Sequence, residues 1–397
     1  MKANPGGTVQ GEAIIGRDNE IRELWDRLEK QSVIVTSERR VGKTSVLRKM
    51  SENPVRGWIP LLCFVEQCGH PIECVEQVYK EAEQNEISSM KGVWLKRVRA
   101  FYKTLADTQV AGWHLPKLLS NWKGLLGNLV EDVCENTGHR MLVMLDEFPL
   151  MVAKVCNQPE GGPALAMDLL DTLRALRQKH EPTGRIRFIL SGSIGLHLIL
   201  ENLRRKDGYK SNPISDMHTF VLSGMCPSDV QLMRKKYLDE EGIIPSDPVN
   251  FDRHMFECTD GLPLYIQHIC EGFQISKREQ VAPDDVDRAT RQMLDNRTIE
   301  GFAYAAKRIE NYYASLSMDR LASLILTRLS HETDYVAEKV IVDYVRSQMT
   351  IEYDDVVLSV LELLWDDNYI VRDSSAGTRK YRFRYRIMRQ WWEINRG

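Results

Sequence analysis

From Ser37 to Thr44 the chain reads Ser-Glu-Arg-Arg-Val-Gly-Lys-Thr, the spacing of a GxxxxGK[ST] phosphate-binding loop with serine in the first glycine position. The chemistry demands these residue types. A loop wrapped round a triphosphate turns successive backbone N–H groups inward, which small residues permit, and the N-terminus of the following helix adds partial positive charge. Lys43 is then set to reach the β- and γ-phosphates and the Thr44 hydroxyl to ligate Mg2+, with Arg40, Val41, Gly42 and Ser45 completing the cradle for ATP or ADP. Serine resists positive φ, so Ser37 is expected to make the loop less permissive than glycine would.

A second chemical pair lies far downstream. Arg140-Met-Leu-Val-Met-Leu-Asp-Glu is an apolar run closed by two carboxylates. Met141 to Leu145 read as a strand buried on both faces, which presents Asp146 and Glu147 at its C-terminal end, where open α/β sheets build their sites. Asp146 is the candidate Mg2+ partner through its water shell, and Glu147 the candidate group to polarise an attacking water. A further strand, Arg185 to Ser193, ends in Ser191-Gly-Ser193, from which either serine can contact the γ-phosphate or that water.

The elements that must position these groups follow from periodicity. Val33, Ile34 and Val35 form a short buried strand before the loop, and a helix begins near Lys43. Ile21, Leu24, Trp25 and Leu28 mark one face of an earlier helix, capped by Asp18 or Asn19. Trp58 to Val65 reads as a strand. A helical stretch runs from about 71 to 136, with breaks at Gly112 and Pro116 and with Trp94, Trp113 and Trp122 as packing residues. Gly161-Gly162-Pro163 opens a helix to about His180, Asn202 to Ser211 reads as a basic loop, and Thr219 to Leu222 is a last short strand. Strands alternating with helices give a parallel α/β sheet. From Pro227 the pattern turns helical, and it ends in strands at 369–372 and 380–385, the order of a winged helix-turn-helix domain.

Composition sets bounds. The 397 residues are 43% hydrophobic and 27% charged, and the net charge of −3 supplies no global attraction to nucleic acid. No apolar stretch approaches the ~20 residues that span a bilayer, and eight scattered cysteines fit a reducing compartment, so no membrane partner and a cytoplasmic location are expected. Cys63, Cys68, His70 and Cys74 form a short cluster without the CxxC spacing of a zinc knuckle, and free thiols are the expected state.

The order of these motifs resembles the archaeal-type ATPases, P-loop ATPases of the AAA+/STAND neighbourhood that are related in layout to origin-recognition ATPases. The segments that carry it are Gly16-Arg17-Asp18, the loop Arg39 to Ser45, Leu145-Asp-Glu147, Leu190-Ser-Gly-Ser193, Gly261-Leu-Pro263 and Phe383 to Trp392. The resemblance implies an ASCE/AAA+-like P-loop NTPase with a helical lid and a C-terminal winged helix-turn-helix domain. Residues 1–11, with Pro5-Gly6-Gly7, read as a flexible segment, and the resemblance implies an ATPase core at 12–225 with a helical insertion at about 71–136, a lid at 226–300 and a winged helix at 301–397. It puts Gly16 and Arg17 near the adenine, Gly261 and Pro263 on the lid over the nucleotide, Lys43 at the phosphates and Glu147 at the water; with Ser193 from the strand end, Glu147 and Lys43 are the residues expected to serve turnover.

The tail from Arg379 to Arg396 is basic. Alternation in Arg382-Phe-Arg-Tyr-Arg386 would set Arg382, Arg384 and Arg386 on one strand face, beside Arg379 and Lys380. Duplex DNA along that face, or an acidic protein surface, is the expected partner, and a homo-oligomer is compatible with the resemblance. Two readings stand: a switch driven by ATP hydrolysis, and a regulator that holds nucleotide with little turnover and works as a DNA-binding or scaffolding module.

Overall fold

Four consecutive buried residues make β1 (Val33–Thr36), and three longer apolar runs make β2 (Trp58–Phe64), β3 (Arg140–Asp146) and β4 (Ile186–Gly192). With β5 (His218–Val221) they form a parallel five-stranded sheet in the order β2-β3-β4-β1-β5. Register aligns the strand ends: Cys63 lies opposite Leu145, and Leu145 opposite Leu190. Met141 to Asp146 and all of β4 are buried, as strands covered on both faces must be. The computed structural model describes residues 1–85, 122–296, 299–350 and 353–396, apart from residues 8, 10, 137, 194 and 376.

The chain divides into two compact units, one made of residues 18–35 and 44–221, the other of 1–17, 36–43 and 222–397. The first holds the sheet with α1 (Asp18–Leu28), nearly all of α2 (Lys43–Glu52), α3 (Pro71–Gln84), α4 (Trp122–Asn136), α5 (Phe148–Cys156), α6 (Gly162–His180) and α7 (Leu196–Asp207). Of the long helical stretch expected from 71 to 136, α3 and α4 are described, while Gly112, Pro116, Trp94 and Trp113 lie outside the described residues. Trp122 is buried. The basic segment expected as a loop is corrected in part: Asn202 to Asp207 are the last turns of α7. Its buried Leu196, Leu198, Ile199, Leu200 and Leu203 carry the helix through the charges, and Gly208 ends it at φ +68°.

In the other unit, α8 (Pro227–Tyr237), α9 (Pro248–Thr259), α10 (Pro263–Ile275) and α11 (Pro283–Asp295) all start on proline, which lacks the N–H that a first helical turn leaves unpaired. Two short parallel strands, β6 (Ile244–Pro245) and β7 (Gln280–Val281), sit among them. Next come α12 (Glu300–Arg308), which continues through a π turn at Ile309–Tyr313, then α13 (Asp319–Ser330), β8 (Val336–Ala337), α14 (Glu338–Gln348), α15 (Asp354–Asp366), β9 (Ile370–Asp373), β10 (Lys380–Phe383) and α16 (Arg386–Arg396). β10 pairs antiparallel with both β9 and β8. Tyr265 of α10, Phe302 of α12 and Trp391 of α16 stack in series, with centroids 4.7 and 5.6 Å apart. The first residues, expected to be flexible, make defined contacts: the Ala3 N–H donates to Gln274 Oε1 at 2.9 Å and the Met1 ammonium to the Lys236 carbonyl at 3.1 Å.

Candidate functional site

In the sheet-bearing unit the two carboxylates at the end of β3 are each held by hydroxyls. Asp146, 2% exposed, accepts from Thr44 Oγ1 on Oδ2 and from Ser191 Oγ on Oδ1, both at 2.6 Å. Glu147 is the residue where strand turns to helix, and it does so at φ +57°, a left-handed conformation costing about 1–2 kcal/mol for a residue with a Cβ. Its Oε2 accepts from the Ser193 backbone N–H at 2.9 Å and the Ser193 hydroxyl at 3.0 Å. The end of β4 thus supplies one serine to each acid: Ser191 is a holder of Asp146, and Ser193 a holder of Glu147.

In the other unit the loop from Ser37 to Lys43 closes on its own lysine. Lys43 Nζ donates to Ser37 Oγ at 2.8 Å, to the Glu38 carbonyl at 3.2 Å and to the Ser37 carbonyl at 3.4 Å. Left-handed backbone falls at Arg40 (φ +64°) and Gly42 (φ +99°) and not at Ser37, so serine costs this loop no strain there. Arg40 donates to the Gly6 carbonyl at 3.0 Å and pairs with Glu300. Ser45, half-buried, lies in the first turn of α2.

The Arg17 guanidinium braces the loop: it donates to the Val41 carbonyl at 2.8 Å and to the Ser223 carbonyl at 2.9 Å, and its backbone N–H donates to Asp229. Gly16 has φ +67°, a backbone conformation that strains any side chain, and a Cβ there would also have to displace the Asp229 carboxylate. Gly261 has φ +67°, and a Cβ would meet the Met225 carbonyl at 2.2 Å, so backbone crowding alone accounts for this glycine. Pro263 is the first residue of α10.

The basic face expected near the C-terminus is narrower than its spacing suggested. Lys380 and Arg382 alternate with buried Tyr381 and Phe383 in β10, but the strand ends there. Arg384 follows it half-buried, and burial lowers its pKa from the ordinary arginine range. Arg386 is exposed and begins α16, whose Ile387, Met388, Trp391 and Trp392 bury the opposite side. Arg379 is exposed, 3.9 Å from both Glu338 and Glu362. Helix formation from Arg386, favoured by this apolar stripe, is what breaks the expected arginine row. Arg204 and Arg205 pair with Glu201 of their own helix.

In the cysteine cluster, His70 Nδ1 accepts from the Ile72 N–H at 3.1 Å and caps α3, and burial pushes the Cys68 thiol up to about 11. Among the described residues no three of His, Cys, Asp or Glu are grouped to hold a metal, and no helix is long and apolar enough to cross a membrane.

Sequence reasoning missed Glu38 and Arg308. An acid inside a phosphate-binding loop carries the wrong sign for a ligand contact, and its arginine partner lies far along the chain. Arg308 Nη1 approaches Glu38 Oε1 to 3.5 Å in a fully buried pair.

No protein-family model and no curated protein matches the chain. Among solved structures, 98% of the chain aligns with 98% of a Walker-type ATPase of Pyrococcus abyssi, at 17% identity and a TM-score of 0.56. Weaker likenesses include Drosophila ORC bound to DNA, at 11% identity and a TM-score of 0.39 over 98% of this chain and 89% of that one. Another is a STAND protein with a tetratricopeptide repeat sensor from Pyrococcus horikoshii, at 14% identity and a TM-score of 0.38 over 97% of this chain and 43% of that one.

Proposed function

We propose, for a chain with the fold of a Walker-type P-loop ATPase, that it binds ATP with Mg2+ and hydrolyses it as a molecular switch. The observation that carries this reading is the hydrogen bond between Thr44 and Asp146, residues 102 positions apart. A hydroxyl and a carboxylate side by side form the hard-oxygen set that Mg2+ prefers, and these two residues would hold it. When bound, the ion would offset charge on the phosphate oxygens.

The protein's own groups then have distinct tasks. Lys43 exchanges its bonds to Ser37 and Glu38 for the β- and γ-phosphates. Ser191 keeps Asp146 oriented, and Ser193 keeps Glu147 at the strand end, where its carboxylate can take a proton from the attacking water. We read α13 to β10 as a winged helix whose Arg379, Lys380 and Arg382 meet a DNA or protein partner, and the nucleotide state as the control on that contact.

A second reading, nucleotide held with little turnover, is favoured by one feature: both contacts from Ser193 already occupy Glu147 Oε2. Binding of a fluorescent ATP analogue to wild type and to Lys43→Ala tests the shared premise, with loss of binding expected in the variant. Steady-state ATPase with and without duplex DNA, beside a filter-binding salt series, separates the two readings. Stimulated turnover supports the switch; salt-sensitive DNA binding without turnover supports the regulator.

A further inference from the structure

The loop that the preceding reading assigns to ATP is engaged by one helix, α12. Glu300, Tyr304 and Arg308 stand at four-residue spacing on α12, so they share a face. Glu300 pairs with Arg39 and Arg40, the Arg39 guanidinium stacks on the Tyr304 ring at 3.9 Å, and Arg308 reaches Glu38. Three successive loop residues are thereby engaged by three successive turns.

Of these contacts only the last is fully buried, and it does not stop at the loop. Arg308 Nη2 donates to the Asp367 carbonyl at 2.8 Å and stands 3.2 Å from Asp367 Oδ2. The guanidinium also covers the Tyr369 ring at 4.6 Å, and Tyr313 donates its hydroxyl to Asp367 Oδ2 at 3.2 Å. Asp367 and Tyr369 flank the turn that leads from α15 into β9. Burial opposes the charge on Arg308, yet Asp367, Tyr369 and Glu38 together hold its pKa well above the ordinary arginine range. A buried ion pair of this kind adds little stability over an apolar substitute, but loses much when one member is removed.

At its other end Glu38 is tied to the phosphate-binding lysine. Its carbonyl accepts from Lys43 Nζ, and its carboxylate accepts from the Arg39 N–H at 3.0 Å. Glu38 thus holds the Lys43 ammonium through its backbone and the Arg39 N–H through the same carboxylate that meets Arg308, so that the buried pair and the loop share one residue.

We propose that Arg308 is a positioning residue of the nucleotide loop, through which the turn at Asp367 sets the loop's conformation and hence its affinity for ATP. The proposal rests on the reading that residues 37–44 bind ATP. By linkage, nucleotide at the loop must act back on the α15–β9 turn by the same factor, which gives the C-terminal strands and the loop a shared equilibrium.

The test uses the full chain in two arms. In the first, without nucleotide, hydrogen exchange of peptides covering residues 36–43 is compared among wild type, Asp367→Asn, the milder Tyr313→Phe, and the control Tyr381→Phe. The control removes a C-terminal hydrogen bond, to Glu338, outside the group of Glu38, Arg308, Tyr313 and Asp367. Faster exchange is expected for Asp367→Asn and Tyr313→Phe, and wild-type exchange for the control. In the second arm, the dissociation constant of a fluorescent ATP analogue is measured. Asp367→Asn should weaken binding roughly tenfold in the wild-type background and have no further effect in Glu38→Gln, because the route between them is cut. Unchanged exchange in both linked variants overturns the proposal, as does an undiminished Asp367→Asn effect in the Glu38→Gln background. Failure of wild type to bind the analogue would sink the ATP reading alone and leave the exchange arm to decide the link.

Discussion

Ser191 and Thr44 donate to opposite oxygens of Asp146, each across 2.6 Å, so one buried carboxylate joins the strand end of β4 to the start of α2. Neither hydroxyl is a bystander: a buried acid with one oxygen unpaired carries a desolvation penalty of about 1–3 kcal/mol.

Ser191→Ala should therefore loosen Asp146 without touching the nucleotide. The Mg2+ concentration needed for half-maximal ATPase should rise about 10- to 100-fold, the range for losing an orienting partner of a metal ligand. A Mg2+ titration at fixed ATP reads this out. An unchanged titration curve would remove Ser191 from that role.

Glu147→Gln keeps an acceptor for the Ser193 N–H but no base. Nucleotide binding should stay within a few fold while turnover falls roughly 10²- to 10⁴-fold. Ser193→Ala leaves the backbone contact to Glu147 in place and should cost less than Glu147→Gln. Single-turnover hydrolysis beside equilibrium binding compares the three; equal turnover in Glu147→Gln excludes Glu147 as the base.

Asp260 links stability to pH. Burial, opposed by the Ile387 N–H and by Arg386, pushes its carboxyl up to about 6 from 3.8. The native state then binds the proton more tightly than the unfolded chain, so this contribution is complete below about pH 4 and is lost as pH rises toward 6. Asp260→Asn is neutral throughout, retains an acceptor for Ile387 and tolerates φ +51°, so it should gain on wild type across that window, by no more than about 3 kcal/mol. Thermal denaturation at pH 4 and pH 7 checks the sign: a gap that is no larger at pH 7 contradicts it.

Gly261→Ala should destabilise the nucleotide-free protein. The added methyl meets the Met225 carbonyl at 2.2 Å in a left-handed backbone, for a cost of at least about 2 kcal/mol. Urea unfolding without ATP measures it. A loss seen only with ATP present would instead assign this glycine to the nucleotide.

Local pattern carried the reading a long way. Val33 to Val35 and Met141 to Leu145 are continuous apolar runs that read as covered strands, Ile186 to Leu190 is broken only by Arg187, and the spacing from Ser37 to Thr44 identifies its own turn and helix. Short-range pattern also marked the turn to helices from Pro227, where α8 begins. It failed where two signals overlapped. The charges of Arg204 to Lys206 hid the end of α7, and alternation in Arg382 to Arg386 hid the point where β10 yields to α16.

By itself, then, the sequence determined the turn and helix start from Ser37 to Thr44 and the apolar strand that closes in Asp146-Glu147, because both depend on neighbours a few positions apart. Tertiary structure alone decided that Ser191 serves Asp146 while Ser193 serves Glu147, since that depends on β4 lying next to β3. It alone decided that Arg308 faces both Glu38 and Asp367: burying one charge requires an opposite one, and only the packed chain chooses which.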